Sequence, residues 1–114
     1  MPAYVISDIG SVAPEDAETW KAYVAQAPAT IAKYGGRYLA RGGDIDVMEG
    51  DWSPYAIVIL EFPDRDAAAR WYASPEYAEL LRLRKGSGLR RKLICVDGTS
   101  DADPNNLLRG KEKS

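Results

Sequence analysis

Residues 55–62, YAIVILEF, carry four successive aliphatic side chains, Ile57 to Leu60, so an extended chain here is apolar on both faces. Glu61 falls on the parity of Ile57 and Ile59, at the end of that strand. Residues 3–9, AYVISDI, show the same doubling, with Tyr4 and Ile6 on one parity and Val5 and Ile9 on the other. Residues 90–97, RRKLICVD, predict a last strand, also apolar on both faces from Leu93 to Val96. RYLAR, 37–41, predicts a short strand with Arg37, Leu39 and Arg41 on one face and Tyr38 and Ala40 on the other. DIDVME, 44–49, alternates weakly and reads as an edge arm or a bent continuation.

Between these strands the period changes. Pro14 followed by Glu15 and Asp16 marks a helix start, with a preset φ and acids at the positive end of the dipole. Ala17, Trp20, Val24, Ala27 and Ile31 then recur in steps of three and four. Pro28 lies inside this stripe and predicts a kink or a split near Gln26. Gly35-Gly36 ends the helix. Asp64 is the expected N-cap of a helix over 65–73, and Ser74-Pro75 opens another over 75–85, with Tyr77, Leu80, Leu81 and Arg84 along one side. Gly86-Ser87-Gly88 predicts a loop. Residues 1–98 are expected to form a single domain, and the polar, proline-broken stretch 99–114 a flexible tail.

The predicted order is β-α-β-β-α-α-β. With the two adjacent helices taken as one broken crossover, this is the α+β, ferredoxin-like βαββαβ plan. Its helices cover one face of a four-stranded sheet. Strands apolar on both faces would then leave a large greasy surface open, and burial against a second copy resolves that. The expected assembly is a homodimer through sheet faces, with an interface above about 1,200 Å².

Composition narrows the chemistry. The 114 residues carry a net charge of -2 and no histidine. An acidic chain lacks the basic surface that nucleic acid or anionic membrane requires, so neither is an expected partner. No apolar run reaches the roughly 20 residues of a membrane span. The start, MPAYVISDIG, goes straight into a strand pattern without a basic leader, and a cytoplasmic location is expected. One cysteine without histidine argues against a Cys/His zinc site, and no cofactor or metal is expected. His-based nucleophile activation and His-ligated haem are excluded. Acid–base work would fall to Asp, Glu, Tyr or Lys.

The string KYGGRYLARGG (33–43), followed by VILEFPDRDAAARWYASPEY (58–77) and LICVDG (93–98), resembles the family called domain of unknown function 1330. The resemblance spans roughly 3–98. It implies membership of the dimeric α/β barrel superfamily, in which ferredoxin-like protomers pair through their sheets. That superfamily includes cofactor-free monooxygenases, isomerases, haem-dependent enzymes and proteins without known activity. The absence of histidine removes a residue that several of its enzymes use.

The candidate site residues each carry two readings. Glu61, at an apolar strand end, is the candidate acid or base; the plainer reading is an ion pair with Arg37, Arg41 or Arg84. Arg37 and Arg41 could grip an anionic ligand through their guanidinium forks, or pair with nearby acids. Trp71 has core spacing after Ala67, whereas Tyr72 and Tyr77 could put phenols at a ligand rim. Tyr38 completes the expected lining. Arg84, on an apolar helix stripe, needs an acceptor, and Glu61 is the first expectation. Cys95 reads as an inert buried thiol. Two functions follow: a dimer binding a small molecule between helices and sheet, or a non-catalytic structural dimer. A cofactor-free monooxygenase- or isomerase-like enzyme is what the resemblance adds.

Overall fold

The chain runs β1 (Ala3–Ser11), a 3-10 turn (Pro14–Asp16), α1 (Ala17–Lys33), β2 (Arg37–Arg41), β3 (Ala56–Phe62), α2 (Arg65–Tyr72), α3 (Pro75–Lys85) and β4 (Arg90–Asp97). This computed structural model describes residues 1–85 and 90–98; the expected loop at 86–88 and the tail at 99–114 lie outside the described residues. The four strands form one antiparallel sheet in the order β2-β3-β1-β4. The sequence reading of a ferredoxin-like α+β fold is therefore met.

Alternation along β1 decides which side is interior. Ala3, Val5, Ser7 and Ile9 are buried beneath the helices. On β3 the same face carries Leu60 and Phe62, and the core closes with Tyr23, Ala27 and Ile31 of α1, Ala67, Ala68 and Trp71 of α2, and Tyr77 and Leu80 of α3. Among the described residues the other face carries no helix. Register places Ala40, Ile59, Ile6 and Ile94 in one row across all four strands. The row beside it reads Arg37, Glu61, Tyr4 and Val96, and the next reads Ile57, Asp8 and Lys92. An apolar stripe with polar rows alongside thus faces outward, and Ile94 is 60% exposed.

Two expectations change. Pro28 does not divide α1, which is a single helix over 17 residues. A proline there removes the N–H that would satisfy the Val24 carbonyl four residues earlier. The structure supplies a substitute: Arg41 Nη2 donates to the Val24 oxygen at 2.8 Å. Arg41 can do this because β2 does not alternate as expected. A bulge between Tyr38 and Ala40 puts two residues against one of β3, so Tyr38 and Arg41 share the helix side while Arg37 lies on the open face. The Arg41 guanidinium stacks over the Tyr38 ring, 4.6 Å from its centroid.

Helix α1 ends as its glycines predict. Gly35 adopts φ +83°, its N–H donates to Ala32, and the Gly36 N–H donates to Ile31. This is the paired closure of a left-handed helix terminus. Gly36 is also a packing requirement, since a β-carbon there would lie 2.7 Å from both Ile31 and Phe62. Ser74 joins the later helices: its hydroxyl donates to the Trp71 carbonyl at 2.7 Å and accepts from the Tyr77 N–H at 3.1 Å. The weak pattern at 44–49 forms no strand. Residues 43–55 make an irregular arm, held at its ends by Gly42 N–H to Ile57 and Tyr55 N–H to Ile9. Trp52 tethers it by donating from Nε1 to Asp8 at 2.9 Å.

Candidate functional site

On the interior side of the sheet, three polar side chains meet. Tyr23 comes from α1, Tyr77 from α3 and Arg91 from β4. The Tyr23 and Tyr77 hydroxyl oxygens lie 2.6 Å apart. Arg91 Nη1 donates to Tyr23 at 2.7 Å and Nη2 donates to Tyr77 at 2.6 Å. Tyr77 is fully buried and Tyr23 nearly so, while Arg91 is half-buried. Burial, foremost, and the neighbouring Tyr23 push the Tyr77 phenol above its ordinary value; Arg91 offsets part of this. Tyr38 is raised as well, chiefly by burial, with Arg41 pulling it down. These phenols are therefore donors at neutral pH, not bases.

Aromatic contacts link this cluster to the outside. Tyr77 lies 4.3 Å from the Trp71 ring and 5.6 Å from the Tyr72 ring, centroid to centroid. Trp71 is fixed by Nε1 donating to the Thr30 hydroxyl at 3.1 Å. Its far side, with Tyr72, lines an open cleft of about 510 Å³ between α2 and β4. Val5, Ala68, Ala69, Leu93 and Ile94 complete the apolar wall, and Arg65 and Cys95 stand with them. The small alanines of α2 leave this space because a short helix with little bulk cannot fill the distance to the edge strand. Arg65 is engaged with Asp97 at 3.0 Å. Cys95 is exposed, which corrects the expectation of a buried thiol: β4 is the sheet edge, so its inner parity opens into the cleft. Partial cover pushes its thiol up, with Arg65 pulling the other way, so it is a poor thiolate.

The expected site residues do not converge. Glu61 accepts from Arg37 Nε at 2.7 Å on the open face. Arg84 belongs to α3 on the other side of the sheet, so the sheet separates it from Glu61. Arg41 serves the α1 backbone, and Tyr38 lies beneath it. Tyr72, 44% exposed, and Tyr77 do come together around Trp71. Tyr23 and Arg91 are not among the expected residues. The signal for both is present in the chain: Tyr23 lies four before Ala27 on the buried stripe, and Arg91 shares the parity of Leu93. Among the described residues no cluster of His, Cys, Asp and Glu could hold a metal, and no helix is long and apolar enough to cross a membrane.

A four-stranded antiparallel sheet with its helices on one side makes this an α+β protein of ferredoxin-like fold. The chain belongs to the family described as domain of unknown function (DUF1330), whose model matches residues 2–99. No curated protein matches the sequence. Among solved structures, it resembles a protein of unknown function from Rhodopseudomonas palustris, at 19% identity over 87% of this chain and 83% of that one, with a TM-score of 0.67. It also resembles a dimeric ferredoxin-like protein of unknown function from Jannaschia sp. CCS1, at 12% identity, 86% and 100% coverage, and a TM-score of 0.64. A structure assigned provisionally as an antibiotic biosynthesis monooxygenase, from Nitrosomonas europaea, matches at 18% identity, 86% and 98% coverage, and a TM-score of 0.58. At such identities the likeness establishes the fold alone.

Proposed function

We propose that this protein is a homodimer that binds a small, largely apolar molecule in the cleft between α2 and β4. The cleft carries the reading. At about 510 Å³ it falls within the size range of small-molecule sites. It has aromatic walls in Trp71 and Tyr72, with polar side-chain groups at Arg65, Cys95 and the Tyr72 phenol. The open sheet face supports pairing, since the Ile59, Ile6 and Ile94 row has no cover from within the described chain. The Jannaschia structure, of similar fold, is described as dimeric. Nothing lining the cleft is a thiolate, a histidine or a carboxylate, so binding is favoured over covalent catalysis.

Binding of a neutral aromatic fluorophore tests the cleft. Ala69→Trp should fill it and abolish binding without unfolding the protein; retained binding refutes the assignment. Ile94→Asp should convert a dimer to a monomer in sedimentation, because a carboxylate in the central apolar row would be buried unpaired. A wild-type protein that is monomeric at micromolar concentration refutes the pairing. The alternative, a structural dimer without a ligand, is what remains if the dimer is found and the fluorophore is not bound.

A further inference from the structure

The arm between β2 and β3 has the makings of a strand without a partner. Residues 43–53 are exposed throughout, yet they include Ile45, Val47 and Met48, the last 96% exposed. Large apolar side chains gathered in water on an irregular segment mark a contact surface. The arm is also acidic. Asp44, Asp46, Glu49 and Asp51 have no cation among them, and none joins an ion pair among the described residues. Asp-Ile-Asp-Val alternates with the period of a strand, although no strand forms there.

A complementary surface lies on β4. This strand is an edge of the sheet, so its outer row of N–H and C=O groups has no strand partner among the described residues. An open apolar edge of this kind is a template for another extended segment. Arg90, Lys92, Ile94 and Val96 share one parity on the open face, and all four are exposed. Neither Arg90 nor Lys92 joins an ion pair among the described residues; Asp8, which lies across from Lys92, already accepts from Trp52. The arm starts beside β3, where Gly42 is tied to Ile57, and Trp52 pins its far end to the open face. The arm is thus continuous with the face proposed above for pairing. The ten or so residues between those ties can reach about 30 Å, against about 10 Å between packed sheets.

Direction follows from matching charge and apolar positions together. Run parallel to β4, with Asp44 beside Arg90 and Asp46 beside Lys92, the arm brings Val47 beside Leu93 and Met48 beside Ile94. Run antiparallel with the same charges met, it brings Gly43 and Gly42 there instead, and Val47 passes beyond Arg90. The parallel register alone satisfies both. It also puts Val47 on the helix side, because Leu93 lines the cleft between α2 and β4.

We propose that residues 44–49 of each protomer add as a parallel strand to the β4 edge of a second copy of the chain, so that Val47 of one protomer walls the cleft of the other. The inference rests on the dimer and cleft proposed above, and two-fold symmetry makes the exchange reciprocal.

The same register sets residue 49 beside Cys95, at a strand spacing of about 4.8 Å that a disulfide can bridge. Mild oxidation of Glu49→Cys should therefore give a covalent dimer, with peptide mapping joining position 49 of one chain to Cys95 of the other. A link within one chain, a link only between the two positions 49, or no link overturns the register. Reversing the arm charges, Asp44→Lys with Asp46→Lys, should raise the dimer Kd at least about tenfold in sedimentation, as should Arg90→Glu with Lys92→Glu. All four changes together should restore most of the affinity; an unrestored loss overturns the pairing of these charges. At concentrations where the protein stays dimeric, Val47→Asp should weaken fluorophore binding about tenfold, and unchanged binding removes Val47 from the cleft. A dimer that Ile94→Asp disrupts but the charge reversals leave unchanged overturns the arm and spares the sheet pairing. A monomeric wild-type protein overturns both.

Discussion

Arg41 reads in the sequence as a candidate for gripping an anionic ligand or for pairing with nearby acids, and the structure gives it a different task that can be measured. Its guanidinium satisfies the Val24 carbonyl that Pro28 leaves without a helical partner. Arg41→Met should remove that bond and the stacking over Tyr38. The bond is solvent-exposed, so its loss costs about 0.5–1.5 kcal/mol, at the ordinary net value. The exposed cation–π contact adds about 0.5–1 kcal/mol. Pro28→Ala restores an N–H to the helix interior and removes the ring, and it should stabilise by up to about 3 kcal/mol. In the Pro28→Ala background the restored backbone N–H supplies the missing donor, so Arg41→Met should then lose only the stacking contribution. The coupling between the two positions is thus expected at about 0.5–1.5 kcal/mol, the share of the hydrogen bond. Urea denaturation of the four proteins, followed by tryptophan fluorescence at one fixed protein concentration, measures it. Additivity to within about 0.3 kcal/mol would show that Arg41 is not acting as the substitute donor.

Gly36→Ala should destabilise by about 1–3 kcal/mol, an overpacking cost, because the new methyl meets Ile31 and Phe62 at 2.7 Å; an unchanged urea midpoint would show that this corner repacks freely. Glu76 has its carboxyl held below its ordinary 4.5, first by the Lys33 hydrogen bond and then by Tyr34. A depressed carboxylate contributes stability above its ordinary value and loses it as pH falls through the folded value, so Glu76→Gln should flatten the acid limb of the stability curve below pH 4.5. Identical acid limbs for the two proteins would remove Glu76 from that role.

The elements are legible in the sequence because each rests on a local signal. Asp64 caps α2 by accepting from the Ala67 N–H at 2.7 Å, and Ser74 caps α3, as the sequence suggests. The doubly apolar strands correctly imply one uncovered sheet face. What escapes the sequence depends on register. A single extra residue in β2 moves Arg41 to the helix side and leaves Arg37 facing Glu61, and no local pattern reports a bulge of that kind. Pro28 reads as a break, its usual effect, because the rescuing guanidinium comes from a different strand. The Glu61–Arg84 pairing fails for a related reason: proximity in one stretch of sequence says nothing about which side of the sheet each occupies. Tyr23, Tyr77 and Arg91 come from three elements, and only the packed sheet brings them together.

The strand order has a consequence for how this protein is made. Of the four described strands β1 leaves the ribosome first, yet it lies between β3 and β4, the last two of the four. Both of its hydrogen-bonding edges wait for residues beyond position 55. During translation an apolar strand with two open edges must persist unpaired, the condition that favours joining the wrong chain. The polar residues of β1, Ser7 and Asp8 among its isoleucines, interrupt what would otherwise be a continuous sticky segment. A nascent chain halted before Arg90 would carry β1 with one edge unpaired, and such truncated products should be found with chaperones or in aggregates rather than free.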